Sequence, residues 1–318
     1  MKHTIKNAHI SLTTLTYGAT IQQLLVKDKY ENDINVVLGF ETEDDYKDNP
    51  FYIGASIGRY AGRISKGGFA LDGEHYTLYQ DNGVHLHGGK NGFDKKDWTV
   101  EHIDTNHNHP YITYTLTSPH LEEGYPGTLK VSVTYRLVGN GLKITYQATT
   151  DKTTVINLTN HAYFNLEGKH SILNHELTLH SEAFVELDSK LLPTGDFLPV
   201  KDSPYDFLEP EIIGDKPGFS GIDDVFVLHE DEPAAILYSP VTGIEMVVNT
   251  DQRATVVFTP TDLGDRNFVN GVKYGNYSSI CFEAQTFPDA PNQPNFPSAV
   301  LQPGETYHNK TILQFGIR

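Results

Sequence analysis

The sequence predicts an all-β protein, a large sandwich or barrel of antiparallel strands with few short helices. Three observations carry this expectation. The dominant hydrophobic period is two rather than 3.6: in Leu129 to Leu137 the residues Leu129, Val131, Val133, Tyr135 and Leu137 alternate with Lys130, Ser132, Thr134 and Arg136, the mark of a half-buried strand. Turn residues that tolerate positive φ separate many such runs. Long amphipathic stretches are missing, and 27 Gly and 17 Pro are spread through 318 residues as punctuation, which suits many short strands joined by turns.

The elements follow in order. Gly68–Leu71 and His75–Leu78 flank Asp72-Gly73, and Leu129–Leu137 and Leu142–Thr149 flank Gly139-Asn140-Gly141. Ala234–Tyr238 and Ile244–Asn249 flank Val241-Thr242-Gly243. Each set reads as a hairpin. Further strands are expected at Tyr111–Thr117, Thr153–Leu158, His175–His180, Val225–Leu228, Ala254–Thr259, Ile280–Thr286 and Thr311–Phe315. Glu186 to Gly221 reads as a loop, but its interleaved aromatics (Phe197, Tyr205, Phe207, Phe219) are those of a packed segment rather than a free linker. A single domain over residues 1–318 is therefore expected. Pro288, Pro291, Pro294 and Pro297 recur at every third position, which suits an extended, polyproline-like run forming a rigid loop beside a site.

Composition narrows the partners. Lys and Arg number 24 against 41 Asp and Glu, a net charge of −17 with His neutral. Such a field repels phosphate backbones and anionic lipid, so neither nucleic acid nor a membrane surface is an expected partner. A neutral polar small molecule fits better. Cys281 has no second cysteine to pair with, so nothing asks for an oxidising compartment. Met1 to Tyr17 alternates polar and apolar residues without a continuous apolar core, so a cytoplasmic protein is expected.

Four places concentrate polar groups within β-rich sequence. In Gly58-Arg59-Tyr60-Ala61-Gly62-Arg63, two small residues beside Arg63 permit close approach, and a guanidinium offers a planar fork of donors to oxygen-rich ligands. Arg59 reads as structural. In Val84-His85-Leu86-His87-Gly88-Gly89, a strand would turn both histidines to one face. No carboxylate follows at short spacing, so a local metal set is incomplete and no metal is expected. His102, His107 and His109 lie in a polar stretch and read as solvated.

The third place, Asn157 to Leu166, holds His161, Asn157, Asn160, Asn165 and Tyr163 between apolar residues, polar groups that must bond to one another or to a ligand. In the fourth, Ile280 to Thr286, a strand puts Cys281, Glu283 and Gln285 on one face. A carboxylate among apolar neighbours has a raised pKa unless paired, as a general base near neutrality requires. Cys281 lacks a local base and reads as packing. Of Asp223 and Asp224, at the entry to a strand, one is expected to face a site and the other to cap a turn.

At these residues the sequence resembles the aldose 1-epimerase (galactose mutarotase) family. The matching elements are Gly58-Arg59 with Ala61-Gly62-Arg63-Ile64, Leu86-His87-Gly88-Gly89, Asn157 to Leu166, Gly221-Ile222-Asp223, and Phe282-Glu283-Ala284-Gln285 followed by Phe287-Pro288-Asp289-Ala290-Pro291-Asn292, in the family's order. The resemblance implies one large antiparallel β-sandwich (the galactose mutarotase-like supersandwich) with a sugar on its concave face. It implies no metal and no organic cofactor, a free aldose such as galactose or glucose as substrate, and a monomer or homodimer. By motif position it implies Glu283 as general base and His161 as general acid, with Arg63 and His87 near the reacting oxygens and Asp223 on sugar hydroxyls. Asp224, Gly62, Leu208 and Val256 depart from the family's common residues, on binding or supporting positions that bear on sugar preference. The same residues would also suit a sugar-binding module or sensor without turnover. A glycosidase would need two flanking carboxylates, for which only Glu283 and Asp223 present themselves, leaving the histidines unexplained.

Overall fold

A computed structural model describes residues 1–105, 108–229 and 232–318. His107 lies outside the described residues, while His102 and His109 are exposed as expected. Among the described residues regular structure is β-strand with six short 3₁₀ turns. Among these residues no helix is long and apolar enough to cross a membrane.

Two large antiparallel sheets organise the chain. The first has nine strands in the spatial order Thr99–Asp104, Tyr111–Ser118, Leu129–Val138, Gly141–Thr150, Tyr307–Ile317, Ile244–Thr250, Ala235–Tyr238, Glu176–Leu179, Glu211–Ile212. The second has six: Tyr163–Phe164, Ile280–Gln285, Ala254–Phe258, Asp223–Val227, Ala183–Leu187, Pro193–Pro199. A four-stranded N-terminal sheet, Lys2–Lys6, Ile10–Leu15, Ile21–Lys27 and Asp33–Asn35, adds Leu12, Ile21 and Leu24 to the same core. That core joins Val133, Tyr135, Ile144, Met246 and Leu313 of the nine-stranded sheet to Phe226, Val257 and Phe282 of the six-stranded one. Burying apolar area of this extent is the main stabilising term, at about 25 cal/mol per Å².

The predicted hairpins form where turn chemistry placed them: Val138 pairs Gly141, Leu71 pairs Glu74, and Tyr238 pairs Glu245. Three expectations need correction. Only Thr154–Val155 of the expected strand Thr153–Leu158 is regular, because Asn157 spends its side chain on the carbonyls of Ala61 and Thr286 and its backbone on Arg59. The stretch read as a loop from Glu186 contains the strand Pro193–Pro199. An edge strand tolerates proline at its ends, since no partner there needs its missing N–H. Finally, the proline-spaced run is not continuously extended: Asp289 has φ +58° and Ala290–Asn292 forms a 3₁₀ turn.

Arg59 is structural, as read. Its buried guanidinium donates to Ser118 Oγ and to the carbonyls of Ser118, Pro119, Pro126 and Gly127.

Candidate active site

The six-stranded sheet uses its two faces differently. Phe226, Val257 and Phe282 point into the main core, and by the period of two their neighbours point the other way. Register aligns these neighbours into two rows across the strands. One row is Val225, Val256 and Glu283. The next is Asp223, Phe258, Cys281 and Tyr163. A cavity open to solvent lies over these rows, and Tyr52, Gly62, Arg63, Leu86, His87, His161, Leu187, Leu191 and Pro288 also line it. All five predicted residues, Arg63, His87, His161, Asp223 and Glu283, line it.

His161 arrives just after the short strand Thr159–Asn160, which pairs Ser56–Ile57; its N–H donates to the Ala55 carbonyl and its carbonyl accepts from Gly54 N–H. Its Nε2 lies 3.4 Å from Glu283 Oε1 and its Nδ1 lies 3.6 Å from Cys281 Sγ. The Tyr163 ring stacks on the imidazole at 5.1 Å and 19°, and Tyr52 lies at 5.9 Å and 23°. The ring is therefore held at both nitrogens and against aromatic faces. Glu283 is 2% exposed, and its Oε2 is buried with no hydrogen-bond partner, so one carboxyl oxygen remains for a ligand.

Burial drives the electrostatics. It pushes Glu283 up to about 8, aided by the nearby Asp223 charge and opposed by Arg63. It pushes His161 down to about 4, against a hydrogen bond with its own main chain. Between those values the pair holds one proton, and burial places it on the Glu283 carboxyl while His161 stays neutral. Arg63 Nη2 lies 3.6 Å from Asp223 Oδ2, both partly exposed to the cavity. Burial raises the Asp223 carboxyl, and Arg63 works against the rise.

The reading of His85 and His87 on one strand face is overturned. The strand His85–Leu86 ends before His87, whose φ is +49°. His85 turns into the core, its Nδ1 2.7 Å from the Tyr79 carbonyl and its Nε2 2.5 Å from Tyr125 Oη. His87 turns instead to the cavity, pairing edge-on with Tyr52 at 4.7 Å. Of the two aspartates, Asp223 faces the cavity. Asp224 faces Tyr205 in an adjoining groove rather than capping a turn.

His87, His161 and Glu283 each bring one ligand-type atom within 4.8 Å of the others, a two-histidine, one-carboxylate set of the sort that holds divalent transition metals. The donor chemistry does not fit. Gly62 N–H donates to His87 Nδ1 at 3.1 Å, so the neutral ring carries its own hydrogen at Nε2 and has no lone pair left for a cation there.

Sequence reasoning missed Tyr52, Phe258, Leu187, Leu191 and Val225 as cavity residues. For Val225 and Phe258 a signal existed: each is two places along its strand from another cavity residue, Asp223 and Val256 respectively. Tyr52 gave none, because it sits in a turn with φ +56°.

The Aldose 1-epimerase family model matches residues 1–314. Galactose mutarotase of Sus scrofa is 38% identical over 99% of this chain and 94% of its own length. Aldose 1-epimerase of Escherichia coli K12 is 32% identical over 97% of this chain and 93% of its own. Among solved structures, a GalM/aldose epimerase homologue from C. elegans superposes with a TM-score of 0.92 at 28% identity, covering 100% of this chain and 99% of that one. Galactose 1-epimerase from Lactobacillus acidophilus gives 0.88 at 28% identity, with 99% and 93% covered. Chain-long similarity, with Arg63, His87, His161, Asp223 and Glu283 gathered in one cavity, leads to one assignment: this chain belongs to the aldose 1-epimerase family.

Proposed function

We propose that this chain is a mutarotase, interconverting the α and β anomers of a free aldohexose such as galactose or glucose within one catalytic domain. The observation that carries the proposal is the buried contact of His161 Nε2 with Glu283 Oε1 at 3.4 Å, in the wall of a cavity that Arg63, His87 and Asp223 also line. Opening a hemiacetal ring needs one proton removed from the anomeric hydroxyl and one added to the ring oxygen. A pair that holds a single proton over several pH units offers both functions at once.

The reactive form is the one in which the shared proton has crossed the 3.4 Å contact to His161, and in that form Glu283 takes the proton from O1–H. As the C1–O1 bond gains double-bond character, the C1–O5 bond breaks and O5 takes the proton carried by His161. The open-chain aldehyde then rotates about C1–C2. The steps run in reverse on the other face of the carbonyl, returning both protons. Arg63 and His87 supply hydrogen bonds near the reacting oxygens, and Asp223, braced by Arg63, accepts from sugar hydroxyls. A glycosidase fits less well, because the group facing Glu283 is an imidazole and Asp223 is engaged by a guanidinium.

Polarimetry of freshly dissolved α-D-galactose and α-D-glucose tests the proposal. Wild-type protein is expected to hasten the approach to equilibrium rotation. Glu283→Gln and His161→Asn are each expected to lower kcat by about 10²- to 10⁴-fold with unfolding transitions retained. An unaccelerated rate with either sugar, despite sugar binding, would point to a binding module. Near-normal turnover by Glu283→Gln would remove it as base.

A further inference from the structure

Two imidazoles face the same cavity, their ring centroids 5.4 Å apart and their planes 82° from parallel, and the chemistry asks only one to carry a proton. Their Nδ1 atoms meet different partners. His161 Nδ1 faces the Cys281 thiol at 3.6 Å. A thiol both donates and accepts, so it tolerates a ring that alternates between neutral and cationic forms. His87 Nδ1 accepts from the Gly62 backbone N–H at 3.1 Å, while His87 N–H donates back to the Gly62 carbonyl at 3.1 Å. A backbone N–H only donates. A hydrogen on His87 Nδ1 would oppose it, which forbids both the imidazolium and the Nδ1–H tautomer without breaking the bond.

Geometry leaves the His87 ring little freedom to escape. Its residue holds φ +49°, the following Gly88 would place a Cβ 1.9 Å from the Gly58 carbonyl oxygen, and Tyr52 packs edge-on against the ring. The facing titratable and charged groups are Tyr52, Arg63, His161 and, behind it, His85, with the Glu283 carboxyl within 4.8 Å. Burial and the cationic neighbours act with the backbone bond, holding the ring neutral.

We propose that His87 is a permanently neutral hydrogen-bond donor, locked by Gly62 N–H with its hydrogen on Nε2, that stabilises the oxygen on which charge develops during ring opening and never relays a proton. The role rests on the mutarotase reading. The tautomer lock does not, and each has its own readout. A fixed donor of this kind needs no reorganisation in the transition state, and removing one typically costs about 10²- to 10³-fold in kcat.

The test uses full-length protein labelled with ¹⁵N-histidine. Expected for His87 are a hydrogen-bearing Nε2 and an unprotonated Nδ1, unchanged from about pH 5 to about pH 9 where a free histidine titrates; comparison with His87→Gln identifies the resonance. In polarimetry, the glutamine amide nitrogen can occupy the place of Nε2, so His87→Gln is expected to stay within about tenfold of wild type. His87→Asn puts its amide at the Nδ1 position and is expected to lose about 10²- to 10³-fold. The pH profile of His87→Gln should keep the wild-type shape. A His87 ring that titrates in this range or carries hydrogen on Nδ1 overturns the lock. Equal damage from Gln and Asn overturns the donor role. Wild-type protein without mutarotase activity would sink the functional reading while leaving the tautomer measurement to stand by itself.

Discussion

Cys281 and Glu283 occupy alternate positions of one strand and meet the two nitrogens of one imidazole, the thiol 3.6 Å from Nδ1 and the carboxyl 3.4 Å from Nε2. The sequence placed them on a common face but read the thiol as packing alone, since His161 lies 120 residues away. Cys281→Ala is expected to lower kcat about tenfold and to move the acid limb of the pH profile lower, because the imidazolium loses its Nδ1 acceptor. Cys281→Ser, which keeps a group that donates and accepts, should retain the wild-type profile. A purely structural role would leave the limbs in place. The profile itself follows from the pair. Burial raises Glu283 to about 8 and lowers His161 to about 4. Below the lower value both groups are protonated and no base remains; above the upper one both are deprotonated and no acid remains. A bell with limbs near those values is expected in kcat against pH, and a flat profile across the upper value would contradict it. Glu283 and His161 were legible because an ionisable group inside an apolar run needs a reason. Tyr52 was not, since its place beside His161 depends on a loop's path.

At the scale of elements, strands were legible wherever alternation met a turn signal, as in Leu129–Val138 and Gly141–Thr150. The errors came where the backbone leaves the β region. His87 follows its strand by one residue, and its positive φ sends it to the cavity while His85 enters the core. No period reveals such a switch. The loop after Ile280–Gln285 behaves similarly. Its spacing read as extended, yet its turn delivers Pro288 to the cavity wall against Gly62. Gly62 has φ +79°, and a Cβ there would lie 2.8 Å from Pro288 Cγ. Gly62→Ala is therefore expected to destabilise by about 1–3 kcal/mol, from left-handed backbone and the displaced proline. It should also depress kcat by disturbing the N–H that holds His87. Urea unfolding and polarimetry on the same variant check both effects. An alanine variant of wild-type stability would mean that Pro288 yields freely.

The whole molecule carries a net charge of −17, yet the work assigned to it falls in one cavity where Arg63 answers Asp223 and a single proton is shared by His161 and Glu283. Composition alone pointed away from phosphate-bearing partners, and the cavity agrees at closer range: beside its polar cluster it offers Leu187, Leu191, Val225, Val256 and Phe258, surfaces for the C–H faces of a ring. A neutral substrate experiences the long-range field only weakly, since a net dipole is neither steered nor repelled as an ion is. Raising ionic strength from about 0.01 to about 0.5 M shortens the screening length from about 30 Å to a few ångströms. For a neutral aldose this should change kcat/KM by less than about twofold. A hexose 6-phosphate, or any anionic sugar, should by contrast be poorly used at low salt and improve as the field is screened, because its approach is opposed by the whole protein rather than by one residue. Polarimetric rates for galactose and galactose 6-phosphate across that salt series decide the matter. A strong salt dependence with the neutral sugar would mean that screening acts on charged groups within the cavity, such as the Arg63–Asp223 pair, rather than on encounter.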